Sequence, residues 1–213
     1  MDLSINSKFY HFMSKVADCM ILSVLWIVFS LPLITAGAAS TALYYCAVKV
    51  IRRDGGSVFK NFWNSFKANL KQTIFVTVLL LAAGIVISAV GSLIHAMVPS
   101  QNTLTNIYLA YLIVLAFCTA WMHYIFSYIA RFQAPLKTIL KNSLVICLAN
   151  LPSSLAMTIL LVVVCAGLIM TFPASAMTLL LVPAGYAWIT SFMLEKIYGK
   201  YTDTDEPVYD EET

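Results

Sequence analysis

The chain has 213 residues, of which 61% are hydrophobic and only 11% charged, and its formal net charge is +3. Soluble domains carry about 25% charged residues, whereas the stretches between Lys71 and Arg131 and between Lys141 and Glu195 contain no Asp, Glu, Lys or Arg. Runs of that length exclude a soluble core and predict an all-α, polytopic helical membrane protein. The cysteines are unevenly spaced and lack a CxxC pair, so we expect no disulfide framework, no metal site and no cofactor.

The first predicted element is the uncharged stretch between Asp18 and Lys49, which is interrupted at Pro32. Proline lacks a backbone N–H and clashes with the carbonyl four residues earlier, so a helix tends to stop or kink there. Thr35 is a good N-cap for a new helix, and Gly37 belongs to a run of small residues that lets helices approach closely. We predict that Pro32, Thr35 and Gly37 form a structural motif. Two interpretations stay open: one kinked helix that crosses once, or a hairpin of two short spans.

Residues 58–72 form an amphipathic pattern in which aromatic residues recur at spacings of three and four. An aromatic stripe flanked by lysines is typical of a helix that lies among lipid headgroups. A nucleic-acid or partner surface is the rival interpretation, but the position between two membrane runs favours the interfacial one, and no nucleic-acid partner is expected. The residues assigned to this first elbow helix are Phe59, Phe62, Trp63, Phe66, Lys67 and Asn69.

Two predicted spans follow, over 73–98 and 107–130. In the first, Gly84, Ser88 and Ser92 recur at intervals of four residues. Small residues at that spacing predict a ridge for helix packing. The second span ends in an aromatic belt that is closed by Arg131, as at many membrane interfaces.

The remaining elements are a second elbow helix over 136–151, with Asn142 and Asn150, and two further helices. Pro152 suits the first turn of the helix that runs to residue 172. A closing helix over 176–200 contains Pro183 as a kink. Residues 202–213 hold six acids and no base, which predicts a solvated acidic tail.

The chain also carries a pattern of internal duplication. A shift of 81 residues aligns Lys60-Asn61 with Lys141-Asn142 and Ala68-Asn69-Leu70 with Ala149-Asn150-Leu151, and yields eight identities in twenty-one ungapped positions. Parallel repeats are a known way to build membrane proteins. We therefore predict repeat units at about 37–97 and 107–172 within a single helical membrane domain of residues 1–201.

The distribution of positive charge predicts the topology. Lys and Arg are concentrated in 49–71, in 131–141 and at the C-terminal end, and the loops 99–106 and 173–175 contain none. Cytoplasmic loops concentrate Lys and Arg, so both elbow helices and the C-terminus are predicted to be cytoplasmic. A hairpin at Pro32 would place all thirteen cations on that side, although its two spans would be short. Five to six transmembrane helices are therefore predicted.

Several short motifs carry a resemblance to a known family. They are Leu25-Trp26, the run from Ser30 to Ala38 with its P-x-x-T-x-G pattern, Ala42-Leu43-Tyr44-Tyr45, and Phe62 followed by Phe66-Lys67-Ala68-Asn69-Leu70-Lys71-Gln72. From about Phe9 to Tyr201 the chain resembles the YesL-like family of small bacterial integral membrane proteins, with one departure at Ser23, where Asn is expected before the Leu-Trp pair. The resemblance implies the bacterial cytoplasmic membrane. It also implies an accessory role in carbohydrate uptake, because members are often encoded beside oligosaccharide import systems, and it implies no catalytic or ligand residues.

The residue types within the predicted spans bear on the class of function. They include no carboxylate at depth, no prominent serine–histidine arrangement and no metal cluster, so neither an enzyme nor a proton-coupled transporter is expected. We expect an accessory or assembly component whose partners are the lipid bilayer and either an oligosaccharide importer permease or a second copy of the chain. A small-solute or sugar transporter is the alternative.

Overall fold

The computed structural model describes residues 3–53, 55–97, 101–132, 134–171 and 176–201, and these ranges contain helices and no strand. The predicted acidic tail, 202–213, lies outside the described residues. Within these ranges the chain forms seven α-helices: α1 Leu3–Ser30, α2 Ala36–Cys46, α3 Val58–Met97, α4 Gln101–Arg131, α5 Leu136–Ala149, α6 Leu151–Thr171 and α7 Ala176–Tyr198. A 3-10 turn, Leu33–Thr35, joins α1 to α2, and a π-helical segment, Ala47–Arg52, continues α2.

Five stretches of the described chain are long and apolar enough to cross a membrane. They are Phe12–Ser30, Leu33–Arg52, Val58–Leu93, Ile107–Arg131 and Leu151–Met170. Together with the helical architecture, they confirm the predicted all-α, polytopic membrane fold. The described part of α7 is not among these five stretches, and this helix packs against α1 and α6.

The chain reverses direction at Pro32. The Trp26 indole Nε1 donates a hydrogen bond of 3.2 Å to Ser40 Oγ, although fourteen residues separate the two. In one continuous helix these residues would lie about 20 Å apart along the axis, at a rise of about 1.5 Å per residue. The segment is therefore the hairpin of the second interpretation, not a single kinked helix.

Thr35 does not cap α2 in the predicted way, because its side chain makes no hydrogen bond to the first amides of that helix. Its hydroxyl instead lies 2.8 Å from the carbonyl oxygen of Phe29 and 2.9 Å from that of Pro32. The last carbonyls of a helix lack partners within it, and Thr35 satisfies such groups at the end of α1. The backbone explains the difference, since Thr35 has φ −92° and ψ −4°, whereas an N-cap normally has extended geometry.

The prediction that the first elbow is a separate helix is wrong. Residues 58–72 are the first turns of α3, which runs without a break for 40 residues, or about 60 Å. The second elbow is a separate helix, α5, which ends where Asn150 leaves the helical region with φ −123° and ψ 45°.

A single residue accounts for this difference between the two segments. Pro152 stands in the first turn of α6, and the residue 81 positions earlier is Lys71, in the interior of α3. Proline removes one helical hydrogen bond and clashes with the carbonyl of residue 148, which favours a break in the helix just before it. Lysine has neither effect, and α3 continues.

The aromatic stripe of residues 58–72 faces the protein interior, not the lipid headgroups. Phe62 and Phe66 are buried, and Phe29 of α1 packs against both, with ring centroids 5.7 Å and 4.9 Å away. Trp63 is partly buried and lies 5.4 Å from Phe29. Phe59 remains outside this cluster and is exposed. The prediction of a lipid-facing aromatic stripe is therefore corrected, because the α1–α2 hairpin folds onto it.

The two segments related by the 81-residue shift present the same buried face. Pairs of positions buried in both are Val58 and Ile139, Phe62 and Ser143, Ser65 and Ile146, Phe66 and Cys147, Thr73 and Ser154, Val76 and Met157, and Thr77 and Thr158. The polar members also repeat their bonds. Thr73 and Ser154 each donate to the carbonyl four residues earlier, at 2.8 Å and 3.0 Å. The buried hydroxyls of Thr73 and Ser154 thus bond carbonyls of the chain four residues earlier, which leaves these faces free to pack.

Ser23 compensates for the proline inside α7. Pro183 interrupts the helical hydrogen bonding, and the next amide, that of Ala184, donates to Ser23 Oγ at 3.1 Å. Both residues are fully buried. The serine therefore supplies the acceptor for a buried backbone N–H and connects α1 to the bend in α7.

Replacing Ser23 with alanine should leave the Ala184 amide without its acceptor. An unsatisfied buried group costs about 1–3 kcal/mol, and interhelical bonds in membranes contribute about 0.6 kcal/mol on average, so we expect a loss of about 1 kcal/mol. The measurement is thermal unfolding of the purified protein in detergent. Ser92→Ala is the control, because Ser92 is exposed and bonds its own helix. Equal stability of both variants would contradict this role.

Candidate functional site

A cavity of about 290 Å³ lies among α1, α2, α4, α6 and α7. Most of its lining is aliphatic or aromatic carbon. The polar groups that reach it come from Trp26, Ser40, Tyr44, His123, Ser127, Tyr186 and Thr190. Ligand sites are mostly apolar concavities of about 300–1,000 Å³ with a few convergent polar groups. This cavity lies near the lower end of that range and has room for one small molecule.

His123 and Tyr186 form the polar centre of the cavity. Nδ1 of His123 lies 2.7 Å from the carbonyl oxygen of Thr119, which can only accept a hydrogen bond. Nδ1 therefore carries the proton, and Nε2 accepts a hydrogen bond from the Tyr186 hydroxyl. The pair is neutral in this arrangement, and the Tyr186 oxygen can accept one further hydrogen bond.

Ser40 contributes a hydrogen-bond donor to the same cavity. Its oxygen accepts from Trp26, and no described acceptor is bonded to its own hydrogen. The lining thus includes an available donor on Ser40 and an available acceptor on Tyr186. No Lys, Arg, Asp or Glu lines the cavity, and burial of an unpaired charge is costly. The chemistry suits a small, neutral, mainly apolar molecule with one hydroxyl or carbonyl group.

Tyr44 links the cavity to a buried ion pair. Its hydroxyl donates to Glu195 Oε1 at 2.8 Å, and Glu195 Oε2 accepts from Arg131 Nη1. The Arg131 and Glu195 side chains are only 6% and 10% exposed. Three helices, α2, α4 and α7, are thereby joined through one carboxylate.

The sequence did not predict this burial of Glu195 inside the protein. In the sequence, Glu195 lies between the last apolar residue of the closing segment and Lys196. Charged residues in this position are typical of a helix that ends at the membrane interface. In the structure α7 continues to Tyr198 and packs on α4, so Glu195 points toward Arg131. The sequence did contain a signal for this pairing, because Glu195 directly follows a run of more than fifty uncharged residues. Ionisable groups in such places are usually paired.

Gly37 lies where α2 packs tightly against α3 and α4. A Cβ atom added to it would lie 2.7 Å from Cε1 of Phe126 and closer still to Oγ1 of Thr77. Real Cβ atoms essentially never come that near another heavy atom. The glycine therefore permits a three-helix contact that no other residue type could make in place.

Gly84, Ser88 and Ser92 form no packing contact within the described chain, so their role as a ridge for helix packing stays a prediction. No described atom lies within 4 Å of a Cβ added to Gly84. Ser88 and Ser92 are exposed, and their hydroxyls bond carbonyls of the same helix. The reason is that α3 extends past the core at this point, so no other described helix lies against these small residues.

The predicted elbow asparagines hold local structure together. Asn69 and Asn150, 81 residues apart, each donate to the carbonyl four residues earlier, at 2.9 Å and 3.0 Å. Asn142 donates to the Tyr128 hydroxyl at 3.0 Å. Lys67 lies on the surface, with its Nζ 4.6 Å from the centre of the Trp63 ring. None of these residues lines the cavity.

No group of three His, Cys, Asp or Glu side chains within the described ranges could hold a metal ion. Residues 19–90, about a third of the chain, match the family model described as "Protein of unknown function, DUF624". The matched region contains Pro32, Thr35 and Gly37. No curated protein and no solved structure matches the chain.

Proposed function

We propose that this protein is an accessory or assembly component of the bacterial cytoplasmic membrane that serves oligosaccharide uptake, and that it is not an enzyme. The DUF624 match over residues 19–90 is to an uncharacterised domain and agrees with a membrane protein of unknown activity. The motifs shared with the YesL-like family extend the proposal to carbohydrate uptake. The partner that we propose is the permease of an oligosaccharide importer.

The observation that carries this proposal is the part of α3 that extends past the core. Residues 81–93 are exposed at nearly every position, and α4 approaches them at Gly91, where an added Cβ would lie 3.4 Å from the Tyr111 ring. The small surface at Gly84, Ser88 and Ser92 presents hydroxyls that are already bonded to their own helix. Small residues on a membrane helix let a second helix approach closely. We propose that a transmembrane helix of the permease packs on this surface.

The orientation is part of the proposal. Residues 49–71 and 131–141 carry nine of the thirteen Lys and Arg residues, and such segments favour the cytoplasm. A cysteine introduced at Lys67 should react with a membrane-impermeant maleimide only after the cells are opened. Labelling from outside intact cells would contradict the orientation.

The partner surface is tested by co-purification of two differently tagged proteins, this chain and the oligosaccharide-importer permease of the same bacterium. Each should elute with the other from mild detergent. Gly84→Leu should reduce this co-elution severalfold, because a large side chain keeps the partner helix away. Ala82→Leu is the matched control, since Ala82 is also exposed but lies on the opposite side of α3.

Two results would overturn the proposal of a permease partner. One is equal co-elution of the Gly84→Leu and Ala82→Leu variants. The other is pairing of this chain with a second tagged copy of itself and not with the permease, which would assign the surface to self-association.

Transport of a small solute by this chain alone is the second candidate, and the cavity around His123 and Tyr186 is the feature that favours it. Its mainly apolar lining suits a small neutral solute better than a sugar, whose many hydroxyls would be left without partners. Proteoliposomes that contain only this chain provide the test. Uptake of a labelled small neutral solute above that of protein-free vesicles would favour a transporter over an accessory component.

A further inference from the structure

A second concavity, of about 570 Å³, lies between α1, the π-helical segment and α7. Two cations, Lys15 and Arg52, contribute to its lining, and no carboxylate does; Asp18, on the same helix as Lys15, is not part of it. The two cations come together because the hairpin at Pro32 brings the start of α1 beside the end of the π-helical segment. The rest of the lining is apolar or aromatic.

Arg52 is the distinctive residue of this groove. One of its N–H groups donates to the Ser191 carbonyl at 3.3 Å, and the guanidinium carbon lies 4.3 Å from the centre of the Phe192 ring. A guanidinium has five N–H donors, and within the described residues no carboxylate pairs with this one. A partly buried guanidinium without a carboxylate partner can bind a phosphate group with two parallel hydrogen bonds.

The apolar part of the groove follows one face of α7. Leu181, Gly185, Trp188 and Phe192 line it, at spacings of four, three and four residues. From Phe192 to Leu181 the helix rises about 16 Å, which is close to half of a hydrocarbon core of about 30 Å. The groove therefore spans about one leaflet, with its cations at the end where the membrane span Leu33–Arg52 stops.

Gly185 keeps the middle of the groove open. No described atom lies within 4 Å of a Cβ built on this residue. A larger side chain at this position would occupy the groove without displacing a described neighbour. Position 185 therefore offers a way to fill the groove that spares the fold.

We propose that this groove binds one anionic phospholipid, with the phosphate on Arg52, a contribution from Lys15, and an acyl chain along α7 past Gly185. The charge and the length both match this occupant. Clusters of basic residues at membrane interfaces are recognised sites for anionic headgroups. The site is separate from the cavity around His123, which lies against the other side of α7.

The test is native mass spectrometry of the full chain in detergent, titrated with dioleoyl-phosphatidylglycerol or dioleoyl-phosphatidylcholine. The first phosphatidylglycerol should bind more tightly than the first phosphatidylcholine. Arg52→Gln should weaken phosphatidylglycerol binding about fivefold, since one cation near the membrane surface contributes about 1 kcal/mol. Gly185→Leu should weaken both lipids, because it obstructs the acyl chain.

Two matched controls accompany these variants. Lys67→Gln removes a cation that also lies over an aromatic ring but is outside the groove. Gly167→Leu adds the same side chain to α6, where a Cβ likewise meets no described atom within 4 Å. Both controls should bind the two lipids as the unmodified chain does.

Three results would overturn the proposal: equal affinity for the two lipids, unchanged binding in both Arg52→Gln and Gly185→Leu, or displacement of the lipid by inorganic phosphate alone. The last would assign the site to a free anion. If Arg52→Gln does not yield folded protein, Arg52→Lys keeps the charge but loses the paired geometry, and it should bind phosphatidylglycerol with intermediate affinity.

Discussion

Replacing Gly37 with alanine should strongly destabilise the protein. The added Cβ would overlap Thr77 Oγ1 and the Phe126 ring, so α2 would have to move away from α3 and α4. Overpacking of this kind costs about 1–3 kcal/mol and occasionally more. The measurements are the yield of folded protein in membranes and the unfolding temperature in detergent.

Gly84→Ala is the matched control for this prediction, because open space surrounds its added methyl group. Alanine is the better helix former by about 1 kcal/mol, so this variant should be neutral or slightly stabilised. Thr77→Ala in the Gly37→Ala background should restore part of the loss, since Thr77 Oγ1 is the nearest atom and bonds only within α3. Similar behaviour of Gly37→Ala and Gly84→Ala would show that the close contact is absent.

Replacing Arg131 with methionine, or Glu195 with glutamine, should have the second large effect. Either change leaves a buried partner uncompensated, and the break of a buried ion pair costs about 3–5 kcal/mol. Glu195 also accepts the Tyr44 hydroxyl, so the Glu195→Gln change weakens contacts of α2 and α4 together. The same unfolding assay in detergent measures the loss.

The double replacement Arg131→Met with Glu195→Leu separates the charge from the packing. Well-packed apolar residues often replace a buried ion pair with little loss, so the double variant should be more stable than either single variant. Lys60→Met, at an exposed position, should change stability by less than about 0.5 kcal/mol. Additive losses in the double variant would contradict a direct pair.

Two glycines show how far sequence spacing alone can predict packing. Gly37 and Gly84 both belong to small-residue patterns on apolar helices, and the pattern predicts the same role for both. In the structure Gly37 lies in a three-helix contact, whereas Gly84 faces outward. The spacing of small residues shows which helix surfaces permit the close approach of another helix. Only the arrangement of the other helices determines whether a neighbour is present.

Contacts between residues far apart in the sequence also could not be predicted from local patterns. Ser23 bonds an amide 161 residues later, and Tyr44 bonds a carboxylate 151 residues later. Nothing in the sequence around either residue indicates which residue it contacts. The burial of Glu195 likewise depends on where α4 stands relative to α7.

The sequence by itself determined the class of the protein, the break at Pro32 and the end of the second elbow at Pro152. These features depend on the apolar run length, on charge and on the missing amide of proline, which act within a few residues of the chain. Only the tertiary structure decided that the first segment is a hairpin, that the aromatic stripe near Phe62 faces inward and that Glu195 pairs with Arg131. Each of these depends on which helices meet in space, and a periodic apolar pattern fits lipid and protein neighbours equally well.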